Sequence, residues 1–241
     1  MLLEQEIVEW VRIARQAIRA DWPKDLPLPE IPEWRVGLMY AAMKGSGYRS
    51  EELVVVGQAA LFIEWGLWLH DALADTERVA LDGALRVLYG DALSSRYVRV
   101  LAEGGQVAMI GRFAAALERI HAAKALRYSL VGLGESDAER AFELDVAIHA
   151  ELPLALTRPN APIRPLIVPA VSYALLFARQ EREPRARQEV RLRGLGARLG
   201  EDFEGLVRTA FDEGTRLAVR ALAKGLPKLF EAPEPALGEG S

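Results

Sequence analysis

The feature that most constrains the fold of this chain is an almost unbroken apolar run from Leu53 to Leu69. Its only strongly polar side chains are Gln58 and Glu64, and it leads directly into His70 and Asp71. The run falls just short of the roughly 18 apolar residues expected of a membrane span. A helix that is apolar on all sides is usually buried in a large protein core. The run therefore predicts the central helix of a helical domain and no transmembrane segment.

Helical spacing of apolar residues continues along most of the chain, and alternating strand-like runs are scarce. The fold class predicted is all-α: a single bundle over residues 1–231, with a proline-containing, disordered tail over 232–241. After a first helix around residues 7–18, breaks at proline and glycine clusters predict the following helices: about Glu33 to Met43, Glu51 to Leu73, Thr76 to Leu101, Gln106 to Leu130, Ser136 to Leu152, Ala170 to Gln180, Arg185 to Leu199 and Glu201 to Leu222.

Charge and cysteine content exclude several functional classes. The net charge is only −4, which argues against nucleic acid as the main partner. The chain has no cysteine, so disulfides and thiolate metal sites are impossible and a reducing, cytoplasmic location is expected. The first residues are acidic and contain no apolar signal core.

The most informative motif is the segment His70–Asp75, which reads HDALAD at the end of the apolar run. Asp71 and Asp75 are one helical turn apart and share a helix face. Two such carboxylates could hold one weakly bound cation, or they could simply be solvated residues at a helix junction. A second motif, LYGDAL over Leu88–Leu93, follows a few helical turns later.

Together the two motifs resemble the "His-Asp-Asp-x-x-Asp … Ala-Gly-Asp-Tyr-Leu" core of the trans-prenyltransferases. That resemblance implies an isoprenoid-synthase helical bundle, in which two Asp-rich clusters hold Mg²⁺ against a diphosphate leaving group. In this chain the middle acid of the first cluster is Ala72, and no Asp-Asp pair occurs anywhere. In the region resembling the second cluster, the acids become Val207, Arg208 and Phe211. Of the family's basic diphosphate-binding loop, this chain retains only Arg49, which is predicted to make a weak substrate contact.

The resemblance is closest to the small, non-catalytic component of two-component heptaprenyl or hexaprenyl diphosphate synthases. The segment Ile120–Tyr128 is similar to their "Ile-Asn-x-x-Lys-x-x-x-Tyr" stretch. The family resemblance implies a regulatory subunit that binds no cofactor of its own. Such a subunit stabilises a separate catalytic chain that carries Mg²⁺. It also helps to set the length of the product, the isoprenoid side chain of a quinone. By resemblance, the partner interface lies on the helices around residues 87–101 and 107–120, with Val87, Leu88, Gly90, Asp91, Ala92, Val98 and Leu101 as candidate contacts.

Other interpretations stay open from the sequence. The chain could be a divergent prenyltransferase active on its own, or a homodimeric helical protein without prenyl chemistry, and self-association is possible when no partner is present. Glu118 and His121 form one Glu-x-x-His pair, but a di-iron bundle needs two such pairs. An arginine-rich segment over residues 182–198 is expected to be a solvated helix face or a contact for an acidic partner.

Overall fold

The computed structural model describes residues 2–19, 31, 33–71, 83–130 and 135–182, and within these ranges it contains helices and no strand. The family-level prediction of an all-α bundle is confirmed. The elements in chain order are α1 (Leu2–Arg19), α2 (Glu33–Lys44), α3 (Ser50–Asp71), α4 (Gly83–Glu103), α5 (Val107–Ser129), α6 (Glu135–Leu156), a 3-10 turn (Arg164–Leu166) and α7 (Ile167–Arg182).

The apolar run forms α3, the central helix of the bundle. Nearly every residue from Val56 to Leu69 is buried, on all sides of the helix, because α1, α2 and α4 pack around it. By length and composition alone α3 could cross a membrane, but 72% of its most apolar window is buried inside the protein. That burial is typical of a core helix, as the sequence predicted.

Close packing between α3 and α4 depends on two glycines. The two helices run antiparallel, and a Cβ atom at Gly66 would lie 2.6 Å from the Ser94 Oγ atom. A Cβ atom at Gly90 would lie 2.7 Å from the Nε2 atom of His70. Neither position tolerates a side chain without displacing its neighbour, so the two glycines fix the distance between the central helix and α4.

Helices α5 and α6 form a second antiparallel pair, and two ion pairs fix how they align along their length. Arg119 Nε lies 2.7 Å from Glu151 Oε2, and Arg127 Nε lies 3.1 Å from Asp145 Oδ1. The residue numbers rise along α5 and fall along α6, as an antiparallel arrangement requires. A buried row on α5, one residue per helical turn, faces the core: Met109, Phe113, Ala116, Ile120 and Ala123.

The predicted helix ends were wrong at the prolines. The sequence ended the sixth helix at Leu152, but α6 continues through Pro153 to Leu156. Pro153 removes a single backbone donor near the end of the helix, and burial of Leu152 and Leu156 outweighs that loss. Likewise α7 begins at Ile167, before Pro169. The predicted tail over 232–241, the helices beyond 182 and the start of the fourth helix at Thr76 lie outside the described residues.

Candidate functional site

A charged cavity lies at the C-terminal end of α3, between α2, α5 and α6. Its volume is about 50 Å³. Glu64 and Asp71 reach it from α3, since residues seven apart occupy the same helix face two turns apart. The complete lining is Ile31, Arg35, Glu64, Leu67, Trp68, Asp71, Lys124, Ile148 and His149.

The first charged pair of this cavity joins α5 to the end of α3. The Nζ atom of Lys124 donates a hydrogen bond of 2.6 Å to the Oδ1 atom of Asp71. The lysine side chain is only 15% exposed, whereas the aspartate is 53% exposed. Burial of the lysine stem leaves its ammonium group directed at this carboxylate, so the sequence-predicted metal ligand already has a cationic partner from its own chain.

The second pair joins α2 to the middle of α3. An Nη2 donor of Arg35 lies 2.6 Å from Glu64 Oε1, with the two side chains 18% and 5% exposed. The guanidinium group also lies 5.9 Å from the ring centre of Trp34. A buried carboxylate is stable only when it is paired and hydrogen-bonded, and Arg35 supplies that pairing.

His149 of α6 completes the polar wall of the cavity. Its Nδ1 atom is buried and has no hydrogen-bond partner. Burial, followed by the positive charges of Arg35 and Lys124, lowers the pKa of His149 to about 3. The imidazole is therefore neutral at physiological pH and adds no charge to the cavity. Trp34 packs edge-on against it, with ring centres 6.2 Å apart.

These four charges cancel within the cavity, which limits what it can bind. Arg35 and Lys124 are each paired with an acid, so neither cation faces a ligand without first losing its partner. Among the described residues there is no group of three or more histidines, aspartates or glutamates that could hold a metal ion. A space of this size accommodates a few water molecules, whereas ligand pockets enclose about 300–1,000 Å³. The described residues thus do not fit a magnesium–diphosphate site.

Of the predicted metal and substrate residues, the structure describes Asp71 and Arg49. Asp71 lines the cavity, and Asp75 lies outside the described residues. Arg49 immediately precedes α3, at the end opposite Asp71. A helix of 22 residues is about 33 Å long. The structure therefore does not bring Arg49 and Asp71 together, and the substrate contact at Arg49 stays a prediction.

Arg35, Glu64, Lys124 and His149 are the site residues that the sequence reasoning missed. A signal for two of them was present. Arg35 and Glu64 are charged residues within otherwise apolar helices, and buried charges require partners. What the sequence could not provide is the antiparallel register that places α2 beside the middle of α3.

The predicted interface residues divide between two sides of α4. Val87, Leu88, Asp91, Ala92 and Val98 lie on one exposed face. On α5 and its start, the exposed apolar side chains are Val107, Leu126 and Tyr128.

The other two candidate interface residues pack inside the chain. Leu101 is fully buried, and Gly90 faces the ring of His70. The prediction that these two offer surface to a partner is corrected, because one helix cannot present positions from opposite faces to the same neighbour. Asp91, next to Gly90, lies 3.4 Å from His70 Nε2 and so links the exposed face to the end of α3.

The remaining sequence candidates do not assemble into a second site. Glu118 and His121 are both exposed on α5, and the described residues bring no further acid to them in a metal-binding group. The region that resembles a second Asp-rich cluster, residues 199–211, lies outside the described residues. So does the arginine-rich segment beyond Arg182.

A family model described as "Heptaprenyl diphosphate synthase (HEPPP synthase) subunit 1" matches residues 24–188 of the chain. That range contains α2 to α7 and the charged cavity. No protein of curated function matches the sequence.

Two solved structures with the same fold are prenyl diphosphate synthases. One is a mint deletion mutant of heterotetrameric geranyl pyrophosphate synthase in complex with ligands, with a TM-score of 0.65 at 12% identity, covering 92% of this chain and 98% of that chain. Another is a geranylgeranyl pyrophosphate synthetase from the archaeon Geoglobus acetivorans, with a TM-score of 0.58 at 14% identity, covering 95% and 97%. At these identities the likeness shows the fold alone.

Proposed function

The chain belongs to the family of heptaprenyl diphosphate synthase subunit 1, and we propose that within such a synthase it is the non-catalytic subunit. The proposal is supported chiefly by one observation: Lys124 forms a hydrogen-bonded ion pair with Asp71, the acid that the sequence predicts as a metal ligand. Prenyl transfer requires departure of a diphosphate, whose charge has to be neutralised as the carbocation forms. A carboxylate that is already neutralised by a lysine attracts a divalent cation weakly.

The chemistry accordingly belongs to a partner chain that carries intact Asp-rich motifs and Mg²⁺. This chain contributes stability and surface to that partner. The exposed face of α4, formed by Val87, Leu88, Asp91, Ala92 and Val98, is the proposed contact. Leu88 is 63% exposed and adjoins the exposed Val87, so the two form an apolar patch on this face of α4. The same face would permit pairing with a second copy when the catalytic chain is absent.

The product is proposed to be the isoprenoid side chain of a quinone such as menaquinone, made in the cytoplasm. Each added isoprene unit places about five more carbons in an apolar channel, and burial contributes roughly 0.8 kcal/mol per methylene-sized group. A subunit that shifts one wall of the partner's channel by docking on it can therefore change where elongation stops. Chain-length control in this proposal acts through packing and needs no catalytic residue on this chain.

The test is reconstitution with the Asp-rich prenyltransferase encoded in the same genome. Each protein alone, and the two mixed, are supplied with farnesyl diphosphate, labelled isopentenyl diphosphate and Mg²⁺. We expect no turnover from this chain alone and turnover to a defined product length from the mixture. Robust turnover by this chain alone would overturn the proposal.

Two matched variants separate assembly from chemistry. Leu88→Asp places a charge on the exposed face of α4 and is expected to weaken assembly at least about tenfold. Leu126→Asp is the control: it makes the same change at an exposed position of α5 beyond the predicted contact region and should leave assembly unchanged. Asp71→Asn should leave the activity of the mixture unchanged. Loss of activity with Asp71→Asn at undiminished assembly would mean that this carboxylate takes part in the reaction.

A further inference from the structure

The loops at one end of the bundle form a surface that has no role in the proposed function. Helices α3, α5 and α7 begin at this end, and α2, α4 and α6 finish there. The connections between them are loops 45–49, 104–106 and 157–166. These three loops and the helix turns beside them are the basic end of the molecule.

Direct contacts hold the three loops together. The backbone N–H of Arg158 donates a hydrogen bond of 3.0 Å to the Oγ atom of Ser46, which joins the α6–α7 loop to the α2–α3 loop. A Cβ atom at Gly104 would lie 2.4 Å from the Cγ1 atom of Val55, so the α4–α5 loop packs on the first turns of α3. The basic end is therefore one continuous surface.

The described charged side chains of the basic end carry an excess of positive charge. The chain as a whole has a net charge of −4, so this excess is local. Glu52 is shared between two cations, since its Oε2 atom lies 3.5 Å from Arg49 Nε and 3.9 Å from Arg158 Nη2. The cations of this end are Lys44, Arg49, Arg99, Arg112, Arg158 and Arg164, and the acids are Glu51, Glu52 and Glu103.

Arg49 and Arg158 are accessible from solvent. Their side chains are 76% and 52% exposed, whereas that of Glu52 is 16% exposed. The guanidinium group of Arg158 lies 5.2 Å from the ring centre of Tyr48, which restrains the side chain without neutralising its charge. Exposed ion pairs are weak, so both arginines can exchange the shared carboxylate for another anion.

Exposed aliphatic side chains accompany these cations. Val54 on α3 is 37% exposed, Val107 at the start of α5 is 62% exposed, and Val168 at the start of α7 is 44% exposed. No aromatic side chain is exposed among the described residues of the basic end, whereas the core of a protein–protein interface is enriched in aromatic residues. Separate aliphatic side chains beside arginines instead suit the head-group region of a lipid bilayer.

We propose that the basic end binds the surface of an anionic phospholipid bilayer. Arg49 and Arg158 lie at the lipid phosphates, and Val107 and Val168 enter the head-group region. Helix α3, with 22 residues and a length of about 33 Å, separates this surface from the charged cavity, which stays clear of the bilayer. Bilayer binding goes beyond the proposed function and does not depend on it.

The experiment is flotation of the purified full-length chain with lipid vesicles, with no metal or prenyl diphosphate added. Vesicles of phosphatidylglycerol mixed with phosphatidylcholine are compared with vesicles of phosphatidylcholine alone. We expect at least about tenfold tighter binding to the anionic vesicles, since each arginine near such a surface contributes to binding. Raising the salt from about 0.1 M to about 1 M shortens the Debye length from about 10 Å to about 3 Å and should release most of the bound protein.

Charge variants assign the binding to the basic end. Arg49→Gln/Arg158→Gln is expected to weaken binding to anionic vesicles at least about tenfold. Arg119→Gln/Arg140→Gln is the matched control, because it removes the same charge from side chains of α5 and α6 that are 55% and 59% exposed and lie away from the basic end. It should leave binding unchanged. Arg49→Lys/Arg158→Lys keeps both charges and should bind like the wild type.

An apolar pair of variants tests the aliphatic contribution. Val107→Ser should weaken binding at least about threefold, because it removes apolar surface from the head-group region. Leu126→Ser makes a similar change at a side chain of α5 that is 54% exposed, and it should bind like the wild type.

Three results would overturn the proposal. In the first, the chain does not bind anionic vesicles. In the second, Arg49→Gln/Arg158→Gln and the control double variant bind equally, which would place the binding elsewhere in the chain. In the third, Arg49→Gln/Arg158→Gln binds vesicles normally but assembles more weakly with the catalytic chain, which would make the basic end a surface for an acidic protein.

Discussion

Both ends of α3 lie beside two cationic side chains, but these side chains have different partners. At the C-terminal end, Arg35 and Lys124 pair with side-chain carboxylates around a small cavity. Beyond the N-terminal end, Arg112 and Arg164 donate to main-chain carbonyls where α6 finishes. Arg112 donates to the carbonyl oxygen of Thr157, and Arg164 donates to that of Leu154 at 2.9 Å.

The difference lies in what the cationic side chains neutralise or complete. The last carbonyls of a helix have no partner within the helix, and the half-buried Arg112 and Arg164 complete its hydrogen bonding. At the other end, the charged side chains pair with one another and not with main-chain groups. Arg35, Glu64, Asp71 and Lys124 instead neutralise one another across three helices.

The largest expected effect is at the cavity end. Glu64→Leu leaves Arg35 buried without its carboxylate and should lower the free energy of unfolding by about 3 kcal/mol. The double variant Arg35→Met/Glu64→Leu should regain most of that loss, because it removes both charges. Urea denaturation at constant m-value measures both. A double variant as unstable as the single one would show that the pairing is not what Glu64 provides.

At the opposite end, Arg112→Met should lower the free energy of unfolding by about 2 kcal/mol. The change removes the donor to the carbonyl of Thr157 and the contact to the Tyr48 hydroxyl, which lies 3.5 Å away. No second side-chain substitution should restore this loss, since the acceptor left behind is main chain. Rescue by Tyr48→Phe would contradict the assignment of the carbonyl as the main acceptor.

Acid should destabilise the cavity end specifically. The pKa of His149 is about 3 in the folded protein and about 6.5 when unfolded, so the unfolded state binds more protons between these values. Above pH 6.5 His149 does not lower the free energy of unfolding. As pH falls from 6.5 toward 3, the free energy of unfolding decreases, by about 2 kcal/mol at pH 5.

Unfolding measured from pH 7 to pH 4 tests this dependence. In His149→Gln the free energy of unfolding should fall less between pH 7 and pH 4, although the substitution will also change the stability at neutral pH. His121→Gln is the matched control. Partial burial, followed by the charge of Lys124, also lowers the pKa of His121, but its ring is exposed, so its removal should reduce that fall less. Equal slopes in the wild type and His149→Gln would exclude His149 as the acid-sensitive group.

The smallest expected effect is at Arg49, beyond the N-terminal end of α3. Its side chain is 76% exposed and lies 3.5 Å from Glu52 in a surface ion pair. Arg49→Ala should change the free energy of unfolding by less than about 0.5 kcal/mol. It should also leave the activity of the reconstituted synthase unchanged. Reduced affinity for isopentenyl diphosphate in this variant would return Arg49 to the substrate site.

The sequence predicted the site only in part, and the failures have physical causes. Asp71 was identified because its motif is local, formed within one helical turn. Lys124 lies 53 residues away in the sequence, and its distance from Asp71 depends on how α5 packs against α3. Arg49 was predicted from the resemblance of a short loop before α3, and the length of that helix places it far from Asp71. Arg35 reaches Glu64 because α2 runs back along α3.

The sequence by itself determined the fold class, the central position of α3 and most helix bounds away from proline. These properties follow from periodicity and local chemistry, which short segments carry. Only the tertiary structure decided which charges meet and which face of α4 is exposed. Gly90 and Leu101 appeared equivalent to Leu88 in the sequence, yet they lie on the opposite side of the helix. Pairing across helices depends on register and crossing, and those are set by packing over the whole core.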